Sequence, residues 1–148
     1  MNVGKICNRD VVTAPADMTI ADAAVLMRRH HVGDVLVLES ASSRSPIGIV
    51  TDRDIVVEIV AARLDPASLT LRDVIVSPLI STHEQETCED TVRLMALHGV
   101  RRMPVLDSED CLVGVITLDD LLPYFSAPLA QLSHLAARGR RREIRLRR

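Results

Sequence analysis

The sequence predicts a mixed α/β (α+β) chain folded as two tandem βαββα units, and three observations carry that prediction. A shift of 68 residues lays one half of the chain on the other. The 148 residues are 47% apolar yet hold no Trp, one Tyr and one Phe, so the core must be aliphatic. Short β-branched runs alternate with longer stretches of helical spacing, the pattern of strands under helices.

The repeat is visible residue by residue. The 68-residue shift places Thr19 on Thr87, Asp22 on Asp90, Leu26 on Leu94, Met27 on Met95, His30 on His98, Val32 on Val100 and Val37 on Val105. A loop two residues longer in the first copy (SASSRSP) then changes the shift to 66, which places Gly48 on Gly114, Val50 on Ile116, Thr51 on Thr117 and Asp54 on Asp120.

Each copy reads as the same string of elements. A short apolar segment, Asp10–Thr13 or Leu79–Thr82, is the expected first strand. A helix opens at Thr19 or Thr87 in the form T-x-x-D, a capping box with Asp in place of Glu, and Ile20, Ala23, Ala24 and Met27 fall along one face. The runs Val35–Leu38 with Ile47–Val50, and Met103–Leu106 with Leu112–Ile116, read as buried hairpins. A second helix starts at Thr51 or Thr117. The boundaries that follow are 1–62 for the first repeat, 63–78 for a linker with Pro66, Pro78 and a helical turn at Leu71–Ile75, 79–127 for the second repeat, and 128–148 for a tail.

Net charge is −2, but residues 138–148 hold seven Arg and one Glu, a net +6, which leaves −8 on residues 1–137. Three cysteines, Cys7, Cys88 and Cys111, form an odd set without metal spacing, which favours a reducing compartment. The first residues lack the basic start and apolar run of a signal peptide, and no stretch approaches the roughly 20 apolar residues of a membrane span. The expectation is a cytoplasmic protein with no transmembrane segment.

The second T-x-x-D of each copy, Thr51 with Asp54 and Thr117 with Asp120, sits where strand turns into helix, and its spacing serves two ends. It caps the helix, and it also presents a carboxylate and a hydroxyl that suit the hydroxyls of a ribose or the oxygens of a phosphate. Gly48 and Gly114 precede these pairs inside a buried strand, where a missing side chain marks close approach by backbone or ligand.

The strings HHVGDVLVL…PIGIVTDRDIV and HGVRRMPVLDSEDCLVGVITLDDLL resemble the two signature halves of a CBS-domain pair, or Bateman module, over residues 1–125. The resemblance implies two βαββα units packed with pseudo-twofold symmetry around two clefts that bind adenine nucleotides. It implies that Asp54 and Asp120 grip ribose, that Thr51 and Thr117 contact ribose or phosphate, and that Arg101 and Arg102 reach the phosphates. The alternative for those arginines is pairing with surface acids. The first copy has Gly33 and Asp34 at the matching positions, so anion affinity is expected to differ between clefts. Lys5, Val12, Thr13 and Gly33 are implied companions of Thr117 and Asp120, and Ile80 and Ser81 of Thr51 and Asp54. Without aromatic platforms, the base would lie between aliphatic side chains. The ligand class implied is AMP, ADP, ATP or a related adenosyl compound, acting on an unidentified regulated protein, with no resident cofactor. The family commonly dimerises through its helices, and the apolar Ile55–Val60 segment supplies a candidate surface.

Other features read as structure. His30 and His98 fall at helix ends, where imidazole meets the negative end of the dipole, and no metal site is expected. Cys88 aligns with Ile20 and fills an apolar slot. No G-x-x-x-x-G-K loop, G-x-S-x-G elbow or H-E-x-x-H pair is present, so no catalytic residues are assigned and a non-catalytic protein is expected. The tail from Pro128 is read as helical or disordered, interrupted or weakened at Gly139. Its arginines suit nucleic acid, anionic lipid or an acidic partner patch; the other reading is a frayed, solvated terminus that can fold over the acidic body of a neighbouring subunit. A nucleic-acid-binding protein acting through residues 138–148, with the repeat as dimerising scaffold, is the alternative function.

Overall fold

A computed structural model describes residues 1–75 and 78–146, with the backbone alone at Glu143. Val76 and Ser77 of the expected linker, and Arg147 and Arg148 of the tail, lie outside the described residues. The first unit comprises β1 (Thr13–Pro15), α1 (Ile20–His30), β2 (Asp34–Leu38), β3 (Pro46–Thr51) and α2, a turn of α-helix at Asp52–Asp54 that runs on as a π-helix over Ile55–Val60. The second comprises β4 (Thr82–His83), α3 (Cys88–His98), β5 (Arg102–Leu106), β6 (Leu112–Thr117) and α4 (Leu118–Leu146). Each unit builds one three-stranded sheet, ordered β1-β2-β3 or β4-β5-β6, with a parallel first pair and an antiparallel second pair.

The helices form as the pattern predicts. Thr19 Oγ1 accepts from the Asp22 N–H at 3.1 Å, and Thr87 Oγ1 from the Asp90 N–H at 3.1 Å. The inward faces match position for position: Ile20, Ala23 and Met27 in α1, and Cys88, Thr91 and Met95 in α3. Where the first unit has Ala14 and Ala23, the second has Thr82 and Thr91, whose buried hydroxyls satisfy each other at 3.3 Å. Both helices end in a left-handed residue, Gly99 in the second unit and His31 in the first.

The structure departs from the sequence expectation in three places. The first strands lie at Thr13–Pro15 and Thr82–His83, toward the end of the expected segments and beyond them, because an edge strand tolerates Pro15 and pairs on one side only. The helical turn of the linker is a 3-10 helix limited to Leu71–Asp73. The tail carries no break at Gly139: α4 is continuous for 29 residues through Pro123 and Pro128 to Leu146. An interior Gly costs a helix about 1 kcal/mol relative to Ala, which weakens it without ending it.

Two separate cores result, and each is completed by a segment that precedes the other unit's strands. Leu71, with Leu69, Val74 and Ile75 beside it, packs on the first core. Val3, with Ile6 and Cys7, packs on the second. The two segments are themselves equivalent, Val3–Lys5 matching Leu71–Asp73 as short 3-10 helices. Thr19 bridges Thr70, and Asn2 bridges Thr87.

The strand glycines mark this exchange. A Cβ on Gly114 would lie 2.5 Å from the Asn8 carbonyl oxygen, and one on Gly48 would lie 2.6 Å from Ile75 Cγ2. The close approach read from the sequence is therefore made by the protein's own chain. Gly114→Ala is expected to destabilise the fold by about 1–3 kcal/mol, since backbone must move to admit the methyl group, whereas Gly139→Ala in open helix is neutral or stabilising. Paired denaturant titrations check the contrast.

Candidate functional site

The strand-to-helix junctions of the two units meet around one cavity of about 570 Å³. Thr51 and Asp54 line it from the first unit, and Arg101, Arg102 and Thr117 from the second. Each junction is held the same way: the Asp52 N–H donates to the Gly33 carbonyl at 3.0 Å, and the Leu118 N–H to the Arg101 carbonyl at 2.9 Å. The helix starts are thereby fixed against the turns that enter β2 and β5.

The capping reading of the T-x-x-D pairs is realised in both copies. The Thr51 N–H donates to Asp54 Oδ2 at 2.8 Å, and the Asp54 N–H donates back to Thr51 Oγ1 at 3.1 Å. In the second copy the Thr117 N–H and hydroxyl both donate to Asp120 Oδ2, at 2.8 and 2.6 Å. Among the described residues the Oδ1 atoms of Asp54 and Asp120 accept no hydrogen bond, so each carboxylate keeps one face for a further donor. The Thr117 hydroxyl is committed to its Asp, whereas among the described residues the Thr51 hydroxyl accepts from the Asp54 N–H and donates to no protein group.

Arg102 is paired across the unit boundary. Its Nη1 donates to Asp34 Oδ2, and the two side chains are 37% and 22% exposed. Asp34 and Arg102 are equivalent positions of the repeat, each opening the middle strand of its sheet. The carboxylate expected to repel an anion thus also neutralises the arginine expected to attract one. Arg101 and Arg53, both exposed, line the same cavity without an ion pair among the described residues, facing Asp52 and Asp119.

The remaining expected residues are placed elsewhere. Asp120 does not line the cavity and acts on it through Thr117; its charge reaches Cys7 in the exchanged N-terminal segment. Gly33 borders the cavity through Asp52. Val12 packs on the first core and Ile80 on the second, Lys5 and Thr13 are exposed, and Ser81 lines a separate hollow of about 280 Å³ with His83 and Asp90. Sequence reasoning missed Arg53, Asp52 and Asp119. It also missed the Asp34–Arg102 pair, although opposite charges at equivalent positions near a pseudo-twofold axis are the available signal.

Burial pushes the Cys7 and Cys88 thiols above their ordinary range, which keeps them protonated and poor nucleophiles at neutral pH. His30 and His98 are the last residues of α1 and α3, as their spacing implied.

These elements define a tandem pair of βαββα units with a junction cavity, and comparison with known proteins places the chain in a family. The CBS domain matches residues 3–61 and 71–127, and the chain belongs to that family. It is 33% identical over 134 residues to an uncharacterised protein of Methanopyrus kandleri, covering 88% of this chain and 67% of that one. It is 36% identical over 111 residues to the CBS domain-containing protein YhcV of Bacillus subtilis, covering 75% and 76%. A CBS domain protein from Pyrobaculum aerophilum, solved in complex with AMP, shares the fold with a TM-score of 0.73 at 24% identity, over 81% of this chain and 89% of that one.

The Asp34–Arg102 contact gives a direct test of coupling between the units. A double-mutant cycle over Asp34→Ala and Arg102→Ala is expected to show about 1–2 kcal/mol of interaction, more than the 0–1 kcal/mol usual for exposed pairs. A value near zero would mean that the pair does not hold the boundary.

Proposed function

We propose that the chain is a non-catalytic regulatory module that binds an adenine nucleotide, AMP, ADP, ATP or a related adenosyl ligand, in the junction cavity and transmits occupancy to a partner protein. The observation that carries this reading is the convergence of Thr51, Asp54, Thr117, Arg101 and Arg102 on one cavity of about 570 Å³, within the range of small-ligand sites. Membership of the CBS family and the AMP complex of the Pyrobaculum relative support it.

The chemistry divides along the cavity. Ile49, Val100 and Leu118 offer aliphatic walls for a base. The open carboxylate face of Asp54 suits ribose hydroxyls, and the planar forks of Arg101 and Arg102 suit phosphate oxygens. For Arg102 to reach a phosphate it must share or release Asp34, so ligand binding and the contact between units compete for one guanidinium. That competition supplies the differential interaction that any ligand-driven shift requires. The ligand acts as a signal and no catalytic group is assigned. Three free cysteines, with the thiols of Cys7 and Cys88 kept protonated by burial, suit a reducing, cytoplasmic setting. Among the described residues, no helix is long and apolar enough to cross a membrane.

Thermal unfolding with a panel of AMP, ADP, ATP and S-adenosylmethionine tests the reading. A ligand at 100 times its Kd adds about 2.7 kcal/mol, equivalent to a rise of roughly 5–10 °C for a chain of this size. The rise is expected to disappear in Asp54→Ala and to shrink in Asp120→Ala. No rise with any of the four ligands would overturn it.

A further inference from the structure

Helix α4 is anchored in the body at one end only. Leu121 is buried, and Tyr124 and Phe125 pack on the second core. Beyond them the helix leaves the body and runs to Leu146, exposed at every residue whose side chain is described. From Pro128 onward this arm is about 28 Å long at 1.5 Å per residue.

The face that packs at the root continues along the arm with nothing over it. At about 100° per residue, Leu129, Leu132, Leu135 and Leu146 fall in the same arc of about 120° as Leu121 and Phe125. The four leucines of the arm are 64%, 61%, 66% and 76% exposed. Isolated helices of this length are marginal in water, and one that leaves its apolar arc bare gains nothing from packing.

The charge of the arm is concentrated at its free end. Residues 128–137 hold no Asp, Glu, Lys or Arg, whereas residues 138–148 hold seven Arg and one Glu, a net +6. The uncharged stretch sets Arg138 about 15 Å along the helix from Pro128, beyond the screening length of about 8 Å at physiological salt. The −8 of residues 1–137 therefore does not hold the arginines. Arg140 and Arg142 border the leucine arc on its two sides, each about 20° outside it, with Arg138, Arg141 and Arg145 on the far side of the helix.

An occupant of this surface must be apolar along a strip and anionic at both edges of it. A nucleic-acid duplex supplies anionic oxygens but no slot for four exposed leucines. An anionic bilayer supplies both: an interfacial helix sinks its apolar arc into the acyl boundary, while arginine stems at the edges reach back to lipid phosphates. Among the described residues no helix is long and apolar enough to cross a membrane, which leaves the surface plane as the place for the arm.

We propose that the arm of α4, residues 128–146, is a reversible anchor that lies flat on an anionic lipid bilayer, its leucines in the acyl boundary and Arg140 and Arg142 on lipid phosphates. It holds the acidic body at the membrane without inserting it. The surface lies outside the junction cavity, so its test needs no nucleotide.

The test uses the full chain and vesicle flotation. The wild-type protein is expected to float with vesicles of phosphatidylserine and phosphatidylcholine in equal parts, not with phosphatidylcholine alone, and to be released by salt. Leu132→Gln with Leu135→Gln removes apolar contact at constant charge, and Arg140→Gln with Arg142→Gln removes charge with the leucines intact. Each pair is expected to weaken binding roughly tenfold or more and to leave the thermal midpoint unchanged, since all four side chains are exposed. The chain has no Trp, so Leu132→Trp supplies a single reporter whose emission is expected to shift to the blue on vesicles. Absence of flotation, equal flotation with phosphatidylcholine alone, or an unshifted reporter would overturn the anchor. Binding that survives the leucine pair would make the contact electrostatic only and overturn it too. A DNA duplex bound more tightly than the vesicles, and indifferent to the leucine pair, would assign the arm to nucleic acid instead.

Discussion

The close fit of two exchanged segments against two glycines is the constraint on which this structure depends. Residues 1–8 complete the second core, and the stretch from Leu69 to Ile75 completes the first. Neither βαββα unit has a closed core without a segment from outside its own run of strands and helices. Gly114 under Asn8 and Gly48 under Ile75 are the points where a methyl group would force these segments away. Because the segments cross, the units cannot separate without uncovering both cores, and the junction between them is held in place. The cavity exists because that junction is fixed.

The T-x-x-D motif shows how one local device serves different ends. It occurs five times, at Thr19, Thr51, Thr70, Thr87 and Thr117, and each time it opens a helix. At Thr70, backbone and hydroxyl hydrogen bonds hold the Asp73 carboxyl below its usual range, the signature of a working cap. The motif is therefore a capping element first. What sets Thr51 and Thr117 apart is position: they alone open onto the cavity shared by the two units, alongside Arg101 and Arg102. A ligand there would use groups already held by the fold and would not need to order them.

Much of this was legible in the sequence because the repeat fixes it twice. A pattern seen once, such as Ile20, Ala23 and Met27 on one face, is a helix prediction; seen again as Cys88, Thr91 and Met95, it is an architecture. Hairpin partners were readable for the same reason. What escaped is whatever depends on the crossing of the two halves. Nothing in MNVGKICN states that Val3 belongs to the second core, since the burial of Val3 is set by residues more than 80 positions away. An acidic partner was the alternative weighed for Arg102, but its identity escaped because Asp34 was considered only for its effect on a ligand and not on its own symmetry mate. The length of α4 escaped because Gly139 read as an interruption or weak point in the tail, while helical backbone on either side carries the helix through it and through Pro123 and Pro128.

The Asp34–Arg102 pair links these points, since it joins the units at the boundary and occupies the arginine that a phosphate would seek. Calorimetric titration of AMP into the full chain, compared between wild type and Arg102→Ala, tests this account most directly. Saturable binding to the wild type that weakens at least tenfold in the variant, a loss of about 1.4 kcal/mol, is the predicted result. Equal affinity in the two proteins, or no heat in either, would contradict the assignment of the junction cavity as the nucleotide site.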